Sequence, residues 1–205
     1  MRRAIVVPVA LALMFSAVCL AASDAALLAE LARRFGPPVL CVSRPSVAPR
    51  VDGRLDDDAW SKAQPVTLSH LVDGWDTPSQ KTEARVLADE KAIYFGVECL
   101  EAHPEQMFAA GEKRDGDLWN GDTVEFFLDP GHREKRGEYY HIIVNPKGLL
   151  YDARGKDPKA WDAQIEAKVG TFESGWTVEV AVPMKDLGFA APGEIPRIWA
   201  TRDSH

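Results

Sequence analysis

One tryptophan of this sequence lies where a flat side chain could meet a ligand. Trp119 precedes segment 122–129, which alternates apolar and polar residues as a strand does, and Asn120-Gly121 between them favours a tight turn. A tryptophan at such a loop tip is wet on one side, and its apolar face can stack on a sugar ring. Two interpretations stay open here: a platform for a ligand, or a plug at one end of a hydrophobic core.

Polar side chains on neighbouring strands could complete such a site. Glu125 lies on the strand after Trp119, and His141 and Asn145 alternate with apolar residues on a second strand. Carboxylate, imidazole and amide groups all hydrogen-bond to hydroxyls, so these residues are candidate ligand-binding groups for a saccharide.

Acidic residues around Trp119 raise the alternative of glycoside hydrolysis, which uses two carboxylates. The acidic residues of this cluster are Asp115, Asp117, Asp122 and Glu125. Strand alternation puts Asp122 and Glu125 on opposite faces, which makes them poor partners in one site. In a chain of net charge −7, acidic loops are usually just solvated. We therefore predict no catalytic residue and no enzymatic activity.

The sequence lacks the usual patterns of metal sites and of covalent catalysis. Asp115-Gly116-Asp117 begins like a calcium loop, but Trp119 and Phe126 stand at its fifth and twelfth positions. The histidines show no zinc spacing, and the sequence has no Cys-x-x-Cys pair, nucleophile elbow, phosphate loop or dinucleotide fingerprint. We predict no definite cofactor, and a structural calcium ion with unspecified ligands stays an alternative.

Short alternating segments must position these residues. Strict alternation runs through segments 82–88, 93–99, 122–129, 139–145 and 176–182. Weaker strand signals cover 39–43, 66–72, 149–154, 163–169 and 195–201, and short helical turns are expected at 57–62, 104–107 and 183–187. Many short strands punctuated by Gly, Pro and Asp predict an all-β fold, an antiparallel β-sandwich with short helical turns.

The beginning of the chain has the pattern of an export signal. Met1-Arg2-Arg3 is followed by nineteen residues without a charge, ending in small residues. We predict a signal peptide over 1–22, with a retained anchor as the alternative, and an amphipathic helix and Pro-rich turn over 23–38. Residues 39–205 are expected to form one sandwich domain, which could be truncated at its C-terminus. The protein would then be periplasmic or secreted.

The charge of the mature chain limits the classes of partner that we expect, and its cysteines allow one disulfide. Cleavage removes two arginines and leaves 22 basic against 31 acidic residues, a net charge of −9. This acidity argues against nucleic acid, or a membrane beyond the signal segment, as the main partner. Cys41 and Cys99 would remain, either as a disulfide or as buried thiols.

The tryptophans other than Trp119 receive different expectations. Trp60 follows a helix-start signal and is expected to anchor a short helix against the sheet, and Trp176 alternates with valines as a core residue does. The remaining three, Trp75, Trp161 and Trp199, have no clear placement from the pattern alone.

Taken in order, several segments resemble the carbohydrate-binding module family 9 group and its DOMON-like relatives. The resemblance runs from Pro45 to about Arg202 and rests on VDGRLDDDAWSKA, TEARVLADEKAIYFGVEC, RDGDLWNGDTVEFFLDP, YYHIIVNPKGLLYDAR, WDAQIEAKV and ESGWTVEVAVPMKDLGF. It implies an antiparallel β-sandwich that binds a saccharide, as an exported accessory module of carbohydrate catabolism associated with glycoside hydrolases.

The resemblance also implies roles for single residues. Members of that family hold a sugar between two tryptophans, with acidic, Arg and Asn side chains bonding its hydroxyls. The matching positions are Trp119, Glu125 and Asn145. The family's arginine two residues before the Asn is Ile143 here, and Arg202 takes the polar position of the final strand. We expect His141 and Arg202 to lie near the sugar.

The second tryptophan of the family's clamp would lie beyond the last strand of this sequence, unless Trp75 or Trp161 substitutes for it. Two other functions therefore stay open. One is a DOMON-type haem-binding electron-transfer domain, whose axial ligands would come from Met107, Met184, His103 and His141. The other is a sandwich with protein-interaction duties and no sugar affinity.

Overall fold

Strands make up most of the regular secondary structure of the described residues. The computed structural model describes residues 5–12, 39–68, 79–129, 138–188 and 197–203. The strands are Ile5–Ala12 (β1), Val39–Cys41 (β2), Val66–Thr67 (β3), Thr82–Ala88 (β4), Ala92–Leu100 (β5), Thr123–Asp129 (β6), Tyr140–Val144 (β7), Leu150–Arg154 (β8), Glu166–Phe172 (β9), Gly175–Pro183 (β10) and Arg197–Asp203 (β11). One short helix, Asp58–Ser61 (α1), and 3₁₀ turns at Pro104–Gln106, Leu118–Asn120, Pro158–Ala160 and Met184–Asp186 connect them.

These strands form two sheets that pack face to face. The larger sheet has the order β2-β1-β11-β6-β7-β8, and the smaller sheet has the order β3-β4-β5-β10-β9. The pairings are antiparallel except for β1 with β2, which run parallel. The predicted all-β antiparallel sandwich is confirmed, and the three predicted helical turns appear as α1 and two of the 3₁₀ turns.

Alternation along the strands explains the core between the sheets. Val124, Phe126 and Leu128 of β6 are fully buried there, and Phe126 meets Phe95 of β5 with ring centroids 4.6 Å apart. Each fully buried side chain of this size contributes about 1.5–3 kcal/mol relative to exposure. The same alternation places the intervening residues, Glu125 and Phe127, on the outer face of the larger sheet.

Strand β1 lies inside the segment predicted to be a signal peptide. It pairs antiparallel with β11, from Ile5 opposite Arg202 to Ala10 opposite Arg197, and parallel with β2. The signal peptide stays a prediction, and the lead-in helix expected over 23–38 falls outside the described residues. Within the described segments, no helix has the length and apolar content needed to span a membrane.

A buried carboxylate ties the chain before α1 to the outer face of the smaller sheet. Trp60 of α1 is buried over Gly96 of β5 and donates its indole Nε1–H to Oε1 of Glu179 on β10 at 2.7 Å. Oε2 of Glu179 accepts three backbone N–H groups, from Asp52 at 2.9 Å, Gly53 at 2.7 Å and Arg54 at 3.1 Å. Burial raises the pKa of Glu179, and these four hydrogen bonds oppose that shift.

Two sequence expectations about buried residues are confirmed and one stays open. Trp60 anchors α1 against the sheet, and Trp176 of β10 is fully buried in the core. Cys99 of β5 is also buried in the core, whereas Cys41 ends β2. The disulfide between these cysteines stays a prediction.

Candidate functional site

The turn before β6 sends two neighbouring side chains in different directions. Leu118 is fully buried and packs with Ile143 and Tyr151 on the outer face of the larger sheet. Trp119, the next residue, keeps 44% of its surface exposed. Leu118 is thus the buried residue of this turn, and at 44% exposure Trp119 is not the core plug of the alternative interpretation.

Asn145 holds the chain around this turn in place. Its side chain is fully buried, and Nδ2 donates to the carbonyl of Ala110 at 2.7 Å. Its Oδ1 accepts the backbone N–H groups of Lys147 at 3.1 Å and Leu149 at 3.0 Å. The structure thus places Asn145 beneath the surface as a positioning residue, rather than beside Trp119 as a direct hydrogen-bonding group.

The side chain of Asp122 is likewise hydrogen-bonded to the backbone of another segment. Its Oδ2 accepts the N–H of Phe108 at 2.6 Å, and its own N–H donates to the carbonyl of Phe108 at 2.6 Å. A Cβ on Gly121 would lie 2.4 Å from that carbonyl oxygen, so the close approach of the two segments requires glycine. The acidic side chain that sequence alone made a candidate for catalysis therefore stabilises a loop.

Asp115, another acidic residue of the cluster, and its neighbour Arg114 also hold the loop before Trp119 in place. Arg114 Nη2 donates to Asp152 Oδ1 at 2.5 Å and to the carbonyl of Ala163 at 2.9 Å. Asp115, which has a left-handed φ of 60°, accepts the N–H of Asp152 through Oδ1 at 3.2 Å. Burial raises the pKa of Asp152, while the Ala163 N–H and the Arg114 charge oppose the shift. Sequence reasoning missed Arg114, because its partners are distant in sequence.

Glu125 and His141 form a hydrogen-bonded pair on the outer face. His141 Nε2 and Glu125 Oε2 are hydrogen-bonded at 2.6 Å, and the side chains are 16% and 10% exposed. The pair lies on neighbouring strands, with Glu125 opposite Ile143 and His141 opposite Phe127. The His141 ring stacks on Phe127 at 4.2 Å and 14°, which fixes its orientation.

Five rings continue from this pair in an unbroken series, here called the aromatic strip. Trp119 meets Tyr151 edge-on at 5.7 Å and 87°, and Tyr151 meets His141 at 5.7 Å and 70°. Beyond the stacked His141 and Phe127, Tyr139 meets Phe127 at 5.6 Å and His141 at 6.3 Å, at 63° to both. Burial first, and the charge of Asp115 second, raise the pKa of Tyr151, so its hydroxyl stays protonated at neutral pH.

Trp161 takes a position away from this surface, and for Arg202 the structure gives only the strand register. Arg202 stands opposite Val124, a core residue, whereas Thr201 stands opposite Glu125. Trp161 lies against Tyr140 at 4.5 Å and donates its Nε1–H to the carbonyl of Asp186 at 2.9 Å. Trp119 is linked to the Glu125–His141 pair through the ring of Tyr151, and the side chain of Arg202 is not among those described. Trp75 lies outside the described residues.

The residues considered for metal or haem binding lie apart. In the part of the chain that is described, no three His, Cys, Asp or Glu side chains are grouped to hold a metal ion. His103 is exposed beside Glu105, and Met107 and Met184 pack at the border of the core. His141 is bonded to Glu125. The structural calcium and the haem alternative gain no support from these positions.

Comparison with known proteins indicates one family. Residues 51–196 match the family model described as carbohydrate family 9 binding domain-like. A family 9 carbohydrate-binding module from Caldicellulosiruptor kristjanssonii in complex with cellotriose aligns with a TM-score of 0.60 and 18% identity, over 80% of this chain and 82% of that one. The same organism's module with glucose gives a TM-score of 0.59 and 19% identity, over 78% and 82%.

A third solved structure has a similar fold. It comes from Bacteroides uniformis and gives a TM-score of 0.53 and 15% identity, over 78% of this chain and 88% of that one. No curated protein matches the sequence. At these identities, the structural neighbours establish the sandwich fold.

Proposed function

We propose, because the chain belongs to the carbohydrate family 9 binding domain-like family, that it binds a saccharide on the outer face of its larger sheet without catalysing a reaction. The observation that carries the proposal is the exposure of Trp119 beside a hydrogen-bonded Glu125–His141 pair. The structures of the Caldicellulosiruptor module with cellotriose and with glucose support the ligand class.

Trp119 supplies the stacking surface. It stands nearly perpendicular to Tyr151 and keeps 44% of its surface exposed, so the exposed part of the indole can receive the apolar face of a sugar. Stacking on the indole buries apolar surface and restricts only two side-chain torsions of the tryptophan. The entropic cost of binding is therefore low, which suits a small, well-hydrated ligand.

Glu125 and His141 supply the polar contacts. Their mutual hydrogen bond uses one atom of each group and leaves Glu125 Oε1 and His141 Nδ1 without a partner among the described residues. A carboxylate oxygen accepts a hydroxyl proton, and the imidazole nitrogen can bond a second hydroxyl. The pair is thus oriented before the sugar arrives, which lowers the entropic cost of binding. Asn145 would contribute indirectly, through the loop that it holds.

The wider role follows from the predicted export signal. We propose that the mature protein acts outside the cytoplasm, as an accessory saccharide-binding module in carbohydrate catabolism. Two carboxylates of the acidic cluster, Asp115 and Asp122, accept backbone N–H groups of other segments and so hold loops in place. This use of the acidic cluster favours binding over hydrolysis.

Isothermal titration against glucose, cellotriose and a panel of other saccharides tests the proposal. Trp119→Ala should weaken binding by about 2 kcal/mol, or roughly 30-fold, as for a central aromatic anchor. Phe172→Ala is the matched control, because Phe172 is 38% exposed but lies on β9 of the other sheet. Absence of heat at millimolar saccharide, or equal binding by Trp119→Ala, would contradict saccharide binding. Release of new reducing ends during incubation would contradict the non-catalytic assignment.

A further inference from the structure

We propose that Arg114 is a positioning residue for Trp119, and that its bridge to the buried Asp152 controls the affinity of the saccharide site. This inference rests on the proposed function and adds a residue that acts on the site without contacting the ligand. Neither partner of the bridge is among the binding residues that the sequence predicts.

The bridge connects the loop before Trp119 with two other parts of the chain. Arg114 Nη2 donates to Oδ1 of Asp152 on β8 at 2.5 Å and to the carbonyl of Ala163 at 2.9 Å. The side chain of Arg114 is 38% exposed, but that of Asp152 is only 1% exposed. Removing one partner of a buried ion pair leaves an uncompensated charge, so this contact matters more than an ion pair between two exposed residues.

The loop contacts β8, the end strand of the larger sheet, from both of its faces. Asp152 is opposite Ile142, whose side chain lies in the core, so Asp152 is on the core-facing side of the strand. Tyr151, one residue earlier, packs with Leu118 on the outer face. Arg114 thus binds one side of the strand and Leu118 the other, and a loop held on both sides has little freedom to shift along it.

The bridge lies beside the ring that Trp119 contacts. Asp115 accepts the N–H of Asp152 through Oδ1 at 3.2 Å, and Arg114 adds the charged contact to the same residue. Tyr151, the strand residue before Asp152, is the ring that Trp119 meets at 5.7 Å. The bridge therefore holds the loop to the same stretch of strand that carries the partner ring, and so it fixes Trp119 relative to Tyr151.

The residue after Arg114 needs such support. Asp115 has a φ of 60°, in the left-handed region that residues other than glycine seldom adopt. A conformation of this kind persists only where the surrounding contacts hold it. Without the bridge, we expect the loop to relax away from β8. Trp119 would then lose the fixed orientation that lowers the entropic cost of stacking on a sugar.

The experiment measures the affinity for glucose and for cellotriose by isothermal titration, after urea denaturation has shown that each variant is folded. Arg114→Met keeps an unbranched aliphatic stem and removes the charge and the donors, and it should weaken both ligands about tenfold. Arg114→Lys should bind within about threefold of the wild type, because one nitrogen of Arg114 makes the contacts and lysine keeps a cation there. Asp152→Asn, which removes the charge from the other partner, should weaken binding in the same direction. It replaces Arg114→Met if that variant does not fold.

A double-mutant cycle with Trp119→Ala separates positioning from other roles. If Arg114 acts through Trp119, Arg114→Met should change the affinity less than about twofold once the indole has been removed. A direct contact with the ligand, or a general loss of stability, would weaken binding equally in both backgrounds. Glu179→Gln is the matched stability control, because Glu179 lies on β10 of the smaller sheet and its substitution should leave the affinity unchanged.

The indole N–H resonance of Trp119 gives a second readout that needs no ligand. It is the resonance that Trp119→Ala removes from the NMR spectrum. In Arg114→Met it should shift or broaden, whereas the resonance of Trp60, which is hydrogen-bonded to Glu179, should stay in place.

The outcomes separate this inference from the proposed function. If Trp119→Ala weakens binding and Arg114→Met does not, the positioning role is refuted and saccharide binding stands. Equal weakening by Arg114→Met with and without Trp119 would also refute the positioning role. If the wild type binds neither ligand, or Trp119→Ala binds as tightly as the wild type, the proposed function fails. The resonance of Trp119 then still decides whether Arg114 positions this ring.

Discussion

Glu179→Gln should destabilise the protein although it changes the side-chain volume little. The buried carboxylate accepts four hydrogen bonds, three from the backbone N–H groups of residues 52–54 and one from the indole of Trp60. A glutamine amide has one acceptor oxygen and one donor group. It can satisfy the three backbone N–H groups only by turning its NH₂ toward the Trp60 Nε1–H.

The magnitude follows from that conflict. One hydrogen bond to a charged acceptor is lost, about 1.5–3 kcal/mol, and two buried donors then face each other. Burial raises the pKa of Glu179, which shows that the charge itself is costly there, and the neutral glutamine recovers part of this cost. We expect a net loss of about 2–3 kcal/mol in the free energy of unfolding, measured by urea denaturation at pH 7.

A double-mutant cycle with Trp60→Phe supplies the control. Phenylalanine removes the indole donor, so it removes the donor–donor conflict created by glutamine. The smaller ring also leaves space, but it does so in both backgrounds, and that contribution cancels. The double variant should therefore be more stable than the sum of the single effects predicts, by about 1 kcal/mol or more. Effects that add within about 0.5 kcal/mol would refute the reasoning.

Two further predictions concern the loop of the site and alkaline stability. Gly121→Ala should lower the free energy of unfolding by about 1–3 kcal/mol and weaken saccharide binding, because its Cβ meets the backbone of Phe108. Gly148→Ala is the control: its Cβ lies in open space at a φ of 74°, so it should lower stability without lowering affinity. Equal losses of affinity in the two variants would contradict this prediction. Burial, then the charge and hydrogen bond of Asp89, raise the pKa of Tyr94 to about 12. The neutral phenol therefore stabilises the fold fully below pH 10 and loses this contribution as the pH rises toward 12. Between pH 9 and 11.5 the wild type should lose more stability than Tyr94→Phe, by at most about 2–3 kcal/mol in urea titrations.

The sequence predicted the fold well because the two faces of each strand have different residues. In β6 and β7 every second residue is apolar, and those residues, such as Val124 and Ile142, are the ones buried between the sheets. Strand ends were less predictable: the segment expected over 66–72 is the short strand Val66–Thr67 within the described residues. Local alternation does not determine where hydrogen-bonded pairing with a neighbouring strand stops.

The site was predictable only in part. Trp119, Glu125 and His141 could be identified as candidates from residue type and alternation, but Tyr151, whose ring lies between Trp119 and His141, was not. The buried position of Asn145 was missed, because a residue at a strand end can direct its amide to nearby backbone groups as well as to a ligand. The contacts of Phe127 with Tyr139 and His141 depend on the register between β6 and β7, which one sequence does not show.

The arrangement of polar groups is itself an argument for binding over hydrolysis. Sequence alone places several acidic residues around Trp119, as a glycosidase site would. In the structure, Asp122 and Asp115 bond to backbone N–H groups and so fix the loop that carries Trp119. Glu125, on the outer face, is bonded to His141 at 2.6 Å. Asp115 and Asp122 thus hold the loop that carries Trp119 before any ligand binds, and such preorganisation lowers the entropic cost of binding a neutral, well-hydrated ligand.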